Sequence, residues 1–289
     1  MSSKMDQSSS MRKNRNLFVW AASLTLIFAL LEIVFGFLSG SLMIIGDGVH
    51  MSSDAISLIL SLIATIIAAK AANQKRTFGY KRIEPIAAFI NGLTLIVIPL
   101  YIMAEAISRL FHPVAIMPKQ MIAVGILGLI INALVGYILS KGNGNLNMRS
   151  ALLHVFSDMI TSFSAVIAAV AILLFDANWV DPAGSILTSI LIIRGGISIT
   201  KESFNILMEG TPEGYSVEGI KETIQGSNQD LTVDDVKVWC VNEEEVYTLI
   251  RVNCSARMIT NTQKGIQGIK ELVSKATNIP FENIYVDVK

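Results

Sequence analysis

Charge is scarce in this chain of 289 residues, where Asp, Glu, Lys and Arg together make 16%, against roughly a quarter in soluble domains. The charge that remains balances, with 23 basic and 23 acidic residues and a formal net charge of zero. That removes the basic surplus expected of a nucleic-acid-binding protein. Cysteine is nearly absent, at two residues, so no disulfide framework holds the fold. Histidine occurs three times. No His-Glu-x-x-His step is present, which excludes that route to a zinc hydrolase. No long internal repeat is visible.

What fills the chain instead is apolar length. Hydrophobic residues make 52% and mean hydropathy is +0.55. Apolar runs recur near the ~20 residues that cross a ~30 Å hydrocarbon core. The chain reads as an α-helical polytopic membrane protein. Six apolar helices are expected at 17–38, 42–68, 85–110, 119–140, 148–175 and 182–205. The first run is too long for the apolar core of a signal peptide and carries Glu32, so it reads as a retained helix. Residues 1–16 are Ser-rich, with Lys4, Arg12, Lys13 and Arg15, and read as a disordered tail. The transmembrane domain then covers 17–208 and a soluble α+β domain 209–289, beyond the break at Gly210, Pro212 and Gly214.

Lys and Arg placement sets the expected topology. The N-terminal tail is basic, the second connection holds Lys70, Lys75, Arg76, Lys81 and Arg82, and the fourth holds Lys141 and Arg149. Of the alternate connections, Ser39-Gly40-Ser41 and Asp176 to Asp181 hold no base, and the third has Arg109 and Lys119. Both termini are therefore expected on the cytoplasmic face of the cell membrane. The basic segment Lys70 to Arg82 reads either as a topology determinant alone or as a contact for anionic membrane lipid.

The soluble end reads helix (215–226), strand (232–240), strand (245–254), helix (262–277), strand (282–288). Val236, Val238 and Cys240 alternate with Lys237 and Trp239, the period of a half-buried strand. A domain this small buries little by itself and gains from pairing with a second copy. A hairpin turning near Asn242 to Glu245 would put Cys240 and Cys254 on the order of 20 Å apart at ~3.3 Å per residue. A disulfide needs Cα atoms within about 7 Å, so two thiols are expected in a reducing compartment.

Two sequence steps carry the chemistry. His50-Met51-Ser52-Ser53-Asp54 lies in the second apolar helix and His154-Val155-Phe156-Ser157-Asp158 in the fifth. Positions i and i+4 share a helix face, so each step offers one imidazole and one carboxylate in one direction. Each intramembrane charge costs about 2.5–3.5 kcal/mol on insertion scales. The bland alternative is helix-to-helix ion pairing, but hardly any Lys or Arg lies nearby in the helices to neutralise the carboxylates. Two facing helices would supply a tetrahedral N₂O₂ set for a divalent metal, zinc above all. Asp47, one turn before His50, is a further oxygen or an outer hydrogen-bond acceptor. Ser53 and Ser157 are expected to bond to local backbone, and Asn91, Asn132 and Glu32 either line the cavity or bond between helices. Gly36 and Gly40 read as a close-contact pair, and His112 as solvated.

Four protein ligands close a metal shell, whereas a catalytic zinc keeps a position open. Transport by alternating access thus fits better than an enzyme. Imidazole and carboxylate, with reference pKa values near about 6.5 and 3.9, bind metal only when deprotonated, so proton antiport follows. A membrane metal sensor and an intramembrane metallohydrolase are the competing classes.

Several stretches together resemble the cation diffusion facilitator family, in its compact prokaryotic zinc/cadmium/cobalt efflux form. They are Ser39 to Leu42 with Gly46 to Asp54, Thr77-Phe78-Gly79-Tyr80-Lys81-Arg82-Ile83-Glu84-Pro85, Asn145 to Arg149 with Ala151 to Asp158, Asp181-Pro182, and Leu207 to Pro212. The resemblance implies a homodimeric metal/proton antiporter with six helices and a ferredoxin-like cytoplasmic domain. It carries the transport-site role onto His50, Asp54, His154 and Asp158, with Zn²⁺ as transported substrate and Cd²⁺ or Co²⁺ as candidates beside it. Mn²⁺ and Fe²⁺ remain open on ligand type. No cofactor is implied. The chain departs from the family pattern in its soluble domain, which has no histidine, and in lacking a His-rich loop after the fourth helix. The domain is therefore expected to dimerise without metal and to hold no tight zinc site, unless Cys240 or Cys254 meets Asp234 or Asp287 across a dimer.

Overall fold

The computed structural model describes residues 2–68, 73–141, 146–227, 231–242, 245–254 and 262–288. Lys70, the Gly/Asn-rich stretch 142–145 and the tip of the expected hairpin at 243–244 lie outside the described residues, as does the side chain of Cys254.

Six long helices come first: α1 (Ser2–Ser39), α2 (Leu42–Ala68), α3 (Ile83–Phe111), α4 (Pro118–Ser140), α5 (Leu146–Phe175) and α6 (Val180–Leu207). Five helices among the described residues are long and apolar enough to cross a membrane: Val19–Ser39 within α1, all of α3, α4 and α6, and Leu152–Phe175 within α5. α2 has comparable length, 27 residues, and carries Asp47, His50 and Asp54. The helix α1 runs on through the segment expected as a disordered tail. Residues 2–16 contain neither Gly nor Pro, and extending an existing helix fixes one residue per bond without a new nucleus.

The chain divides into two compact units, one of residues 1–59 and 91–197, the other of 60–90 and 198–289. In the first, Ala165, Ala168, Ala169 and Ile172 of α5 bury a small-residue stripe against Met121 and Val124 of α4, with Met43 and Ile44 of α2 in the same cluster. The spacing i, i+3, i+4, i+7 is one helix face. Gly36 is a close-contact glycine as expected, since a Cβ there would fall 2.6 Å from Ile45 Cγ1. Gly40 serves the α1–α2 turn as well, at φ +75°, a left-handed conformation that favours glycine, and a Cβ there would fall 2.9 Å from the Ala115 carbonyl oxygen.

In the second unit, α7 (Val217–Ser227), β1 (Leu231–Cys240), β2 (Val246–Cys254), α8 (Thr262–Thr277) and β3 (Ile284–Val288) follow α6. The sheet order is β1-β2-β3, antiparallel between β1 and β2 and parallel between β2 and β3. The alternation seen in sequence selects the buried face: Val236, Val238 and Cys240 of β1 and Thr248, Ile250 and Val252 of β2 are all buried. They pack on Ile220 and Ile224 of α7 and Ile269 and Val273 of α8. Cys240 pairs with Val246, and Cys254 with Leu231 at the far end of the ladder. The thiol-bearing positions thus lie as far apart as the sequence implies.

The connection before α3 belongs to this second unit and is tied to the strands. Lys81 pairs with Glu245, Asn242 donates to Glu84 Oε2 at 2.8 Å, and Phe78 meets the Tyr247 ring edge-on at 5.7 Å. Burial, with the Glu245 carboxylate beside it, pushes the Tyr247 phenol above its ordinary pKa. It therefore stays a neutral donor to Glu245 Oε2, at 3.2 Å.

Candidate metal site

The start of α2 is held by a buried carboxylate from another helix. The first amides of a helix have no partner within it. Asp181, fully buried at the head of α6, accepts from the Leu42 and Met43 amides at 2.9 and 3.3 Å and from the Ser41 hydroxyl at 2.5 Å. Farther along, Gly48 lets α2 lie against α1, because a Cβ there would come within 2.8 Å of the Ala29 carbonyl and 2.9 Å of Glu32 Cβ. Residues two apart on a helix point roughly 200° apart. Seating Gly48 on α1 therefore turns His50 away from it.

All four expected ligands gather in the first unit. Nε2 of His154 lies 3.1 Å from Asp54 Oδ2, which joins α5 to α2. Within each step the imidazole Nε2 and the carboxylate Oδ2 are 3.8 Å apart, both for His50 with Asp54 and for His154 with Asp158. The two imidazole rings meet edge-on with centroids 6.1 Å apart. Donors bonded to zinc at ~2.0–2.2 Å in a tetrahedron sit about 3.3–3.6 Å from one another, so these separations bracket that range. In this conformation no group of three or more His, Cys, Asp or Glu side chains among the described residues closes into a shell. Instead, His154 lies within hydrogen-bonding reach of Asp54. The pocket is asymmetric: the His154 side chain is 48% exposed and that of Asp158 is 6% exposed. Among the described residues, His50 Nδ1 is buried without a hydrogen-bond partner.

Asp47 is deeply buried, with the Asp158 carboxylate near enough to act on it electrostatically. It is within hydrogen-bonding reach of Glu32 of α1 and Ser162 of α5, and Ser162 in turn accepts from Asn132 Nδ2 of α4 at 3.4 Å. Ser53 donates to Asn91 Oδ1 of α3 at 3.4 Å, a bond between helices that the expected local bonding did not include. Its position on α2 points it at another helix. Ser157 does bond locally, to the Leu153 carbonyl at 3.2 Å, and His112 is exposed. Sequence reasoning missed Ser162, although it lies one turn beyond Asp158 on the same face. It also missed the capping role of Asp181, for which an acid in the first turn beside Pro182 was the available signal.

Residues 18–208 match the model of the cation efflux transmembrane domain. The chain belongs to the cation efflux family, the cation diffusion facilitators. Relatives include the cadmium, cobalt and zinc/H(+)-K(+) antiporter of Bacillus subtilis, 45% identical over 74% of this chain and 70% of that protein. The zinc transporter ZitB of Pectobacterium atrosepticum is 37% identical over 82% of this chain and 75% of its own length. The metal cation efflux system protein CzcD of Cupriavidus metallidurans is 34% identical over 80% and 74%. The family is one of transporters, not enzymes, and this member is a multi-pass membrane protein of the metal cation efflux kind.

Proposed function

We propose that this cation efflux protein exports a zinc-type divalent ion in exchange for protons, with His50, Asp54, His154 and Asp158 as its transport ligands. The observation that carries the reading is the meeting of the two His-x-x-x-Asp steps, through His154 and Asp54 at 3.1 Å. Two imidazoles and two carboxylates form a mixed nitrogen/oxygen set suited to zinc and tolerant of cadmium and cobalt. In the deprotonated state the set binds the ion; protonated imidazole and carboxyl release it. Opening the site to opposite sides in these two states moves metal one way and protons the other. Asp47 acts from outside the shell, through Glu32 and Ser162.

The same reading gives α2 as the sixth membrane-crossing helix, domain boundaries near residues 17 and 209, and both termini in the cytoplasm. The αββαβ segment is ferredoxin-like and pairs with a second copy as a homodimer. Its small buried core favours such pairing.

Proteoliposomes carrying the full chain, given a fixed pH gradient and a panel of Zn²⁺, Cd²⁺, Co²⁺, Mn²⁺ and Fe²⁺, test the proposal. Zinc is expected to move fastest and to stop when the pH gradient is collapsed. Movement driven instead by a K⁺ gradient alone would replace the proton as counter-ion. No flux with any metal would favour a sensor.

A further inference from the structure

The connection between α2 and α3 is built, not slack. Asn73 and Arg76 exchange backbone hydrogen bonds at 3.1 and 3.0 Å. The Asn73 side-chain oxygen accepts from the amides of Lys75 and Arg76, both at 3.0 Å. Gly79 closes the next turn onto the Arg76 carbonyl at 2.9 Å, with φ +69°. These turns wall a cavity of about 270 Å³ lined by Lys75, Arg76, Phe78, Tyr80, Arg82 and Ile86, among others.

The cations around it are not equivalent. Arg82 donates to Glu209 at 2.6 Å. Lys75 and Arg76 have no acidic partner within ion-pair distance among the described residues. The Arg76 guanidinium lies 4.5 Å from the Tyr80 ring centroid. A guanidinium held over a ring by its face keeps its in-plane N–H donors for an anion. The rim is apolar where it meets α3. Phe78, Ile86 and Ile90 are exposed at 49%, 43% and 55%, and Ile86 and Ile90 are one turn apart on a helix that crosses the membrane by length and composition.

We propose that this cavity binds the headgroup phosphate of an anionic phospholipid. Arg76 and Lys75 hold the phosphate, and an acyl chain lies along Phe78, Ile86 and Ile90. A fork of fixed N–H donors fits phosphate oxygens. Two cations with no acidic partner among the described residues favour an anionic headgroup over a zwitterionic one. The apolar rim, continuous with α3, marks a lipid as the source rather than a free phosphate.

Native mass spectrometry of the full chain in detergent, titrated with phosphatidylglycerol, phosphatidylcholine or glycerol phosphate, decides it. Phosphatidylglycerol is expected to be retained in preference to phosphatidylcholine, and glycerol phosphate is expected not to displace it at equal concentration. Each cation removed should weaken retention about five-fold, the equivalent of the ~1 kcal/mol that one basic residue contributes near an anionic surface. The Lys75→Gln/Arg76→Gln pair should thus lose it, while Lys119→Gln, at the head of α4, leaves it unchanged. If the double variant does not fold, the single variants and Arg76→Lys, which keeps the charge, carry the comparison. Unchanged retention in Lys75→Gln and Arg76→Gln, equal retention of phosphatidylcholine, or displacement by glycerol phosphate would overturn the proposal.

Discussion

Single residues divide into those whose chemistry shows in the sequence and those whose role needs a neighbour. His50, Asp54, His154 and Asp158 stand out in the sequence because ionisable groups are rare in apolar helices and the i, i+4 repeat occurs twice. Ser162 and the Glu32–Asp47 contact do not, because each depends on which helices touch. Asp47→Asn keeps the shape and much of the hydrogen bonding, so zinc flux should fall less than in Asp54→Ala. Equal loss in the two variants, measured side by side, would move Asp47 into the shell. Gly48 makes a different prediction. Adding a methyl against the Ala29 carbonyl forces a shift of α2 from α1, and overpacking of this kind costs about 1–3 kcal/mol. Gly48→Ala should lower the thermal midpoint of the purified protein; an unchanged midpoint would show that the two helices part freely there.

At the scale of elements, the helices were readable within a few residues because apolar runs end where polar or breaking residues begin. α1 departs from this: its helix continues past the apolar stretch, since nothing in residues 2–16 breaks it. The strands were readable from alternation, but the register shift between Val233 and Asp235 was not. A bulge is set by the partner strand as much as by its own residues. The head of α2 depends on α6 through Asp181, a contact between positions far apart in sequence. Asp181→Ala leaves two buried amides and a hydroxyl without their acceptor. Lost caps cost about 0.5–2 kcal/mol, so a lower thermal midpoint is expected, with Asp181→Asn between the variant and the parent. Equal melting of parent and Asp181→Ala would show that water or another group caps α2.

For the whole molecule, family membership makes the chain a metal cation efflux transporter, and the proposed mechanism has metal and protons compete for one set of ligands. The segment 209–289 holds no histidine, so its calorimetric titration with zinc under reducing conditions should show no binding tighter than micromolar. Stoichiometric tighter binding, lost in Cys240→Ser or Cys254→Ser, would place a second metal site there. The central claim rests on the four ligands, and zinc flux into sealed proteoliposomes under an imposed pH gradient tests it most directly. The parent protein should transport, and His50→Ala, Asp54→Ala, His154→Ala and Asp158→Ala should each be inserted yet inert. Near-parental flux by Asp54→Ala or His154→Ala would contradict the assignment.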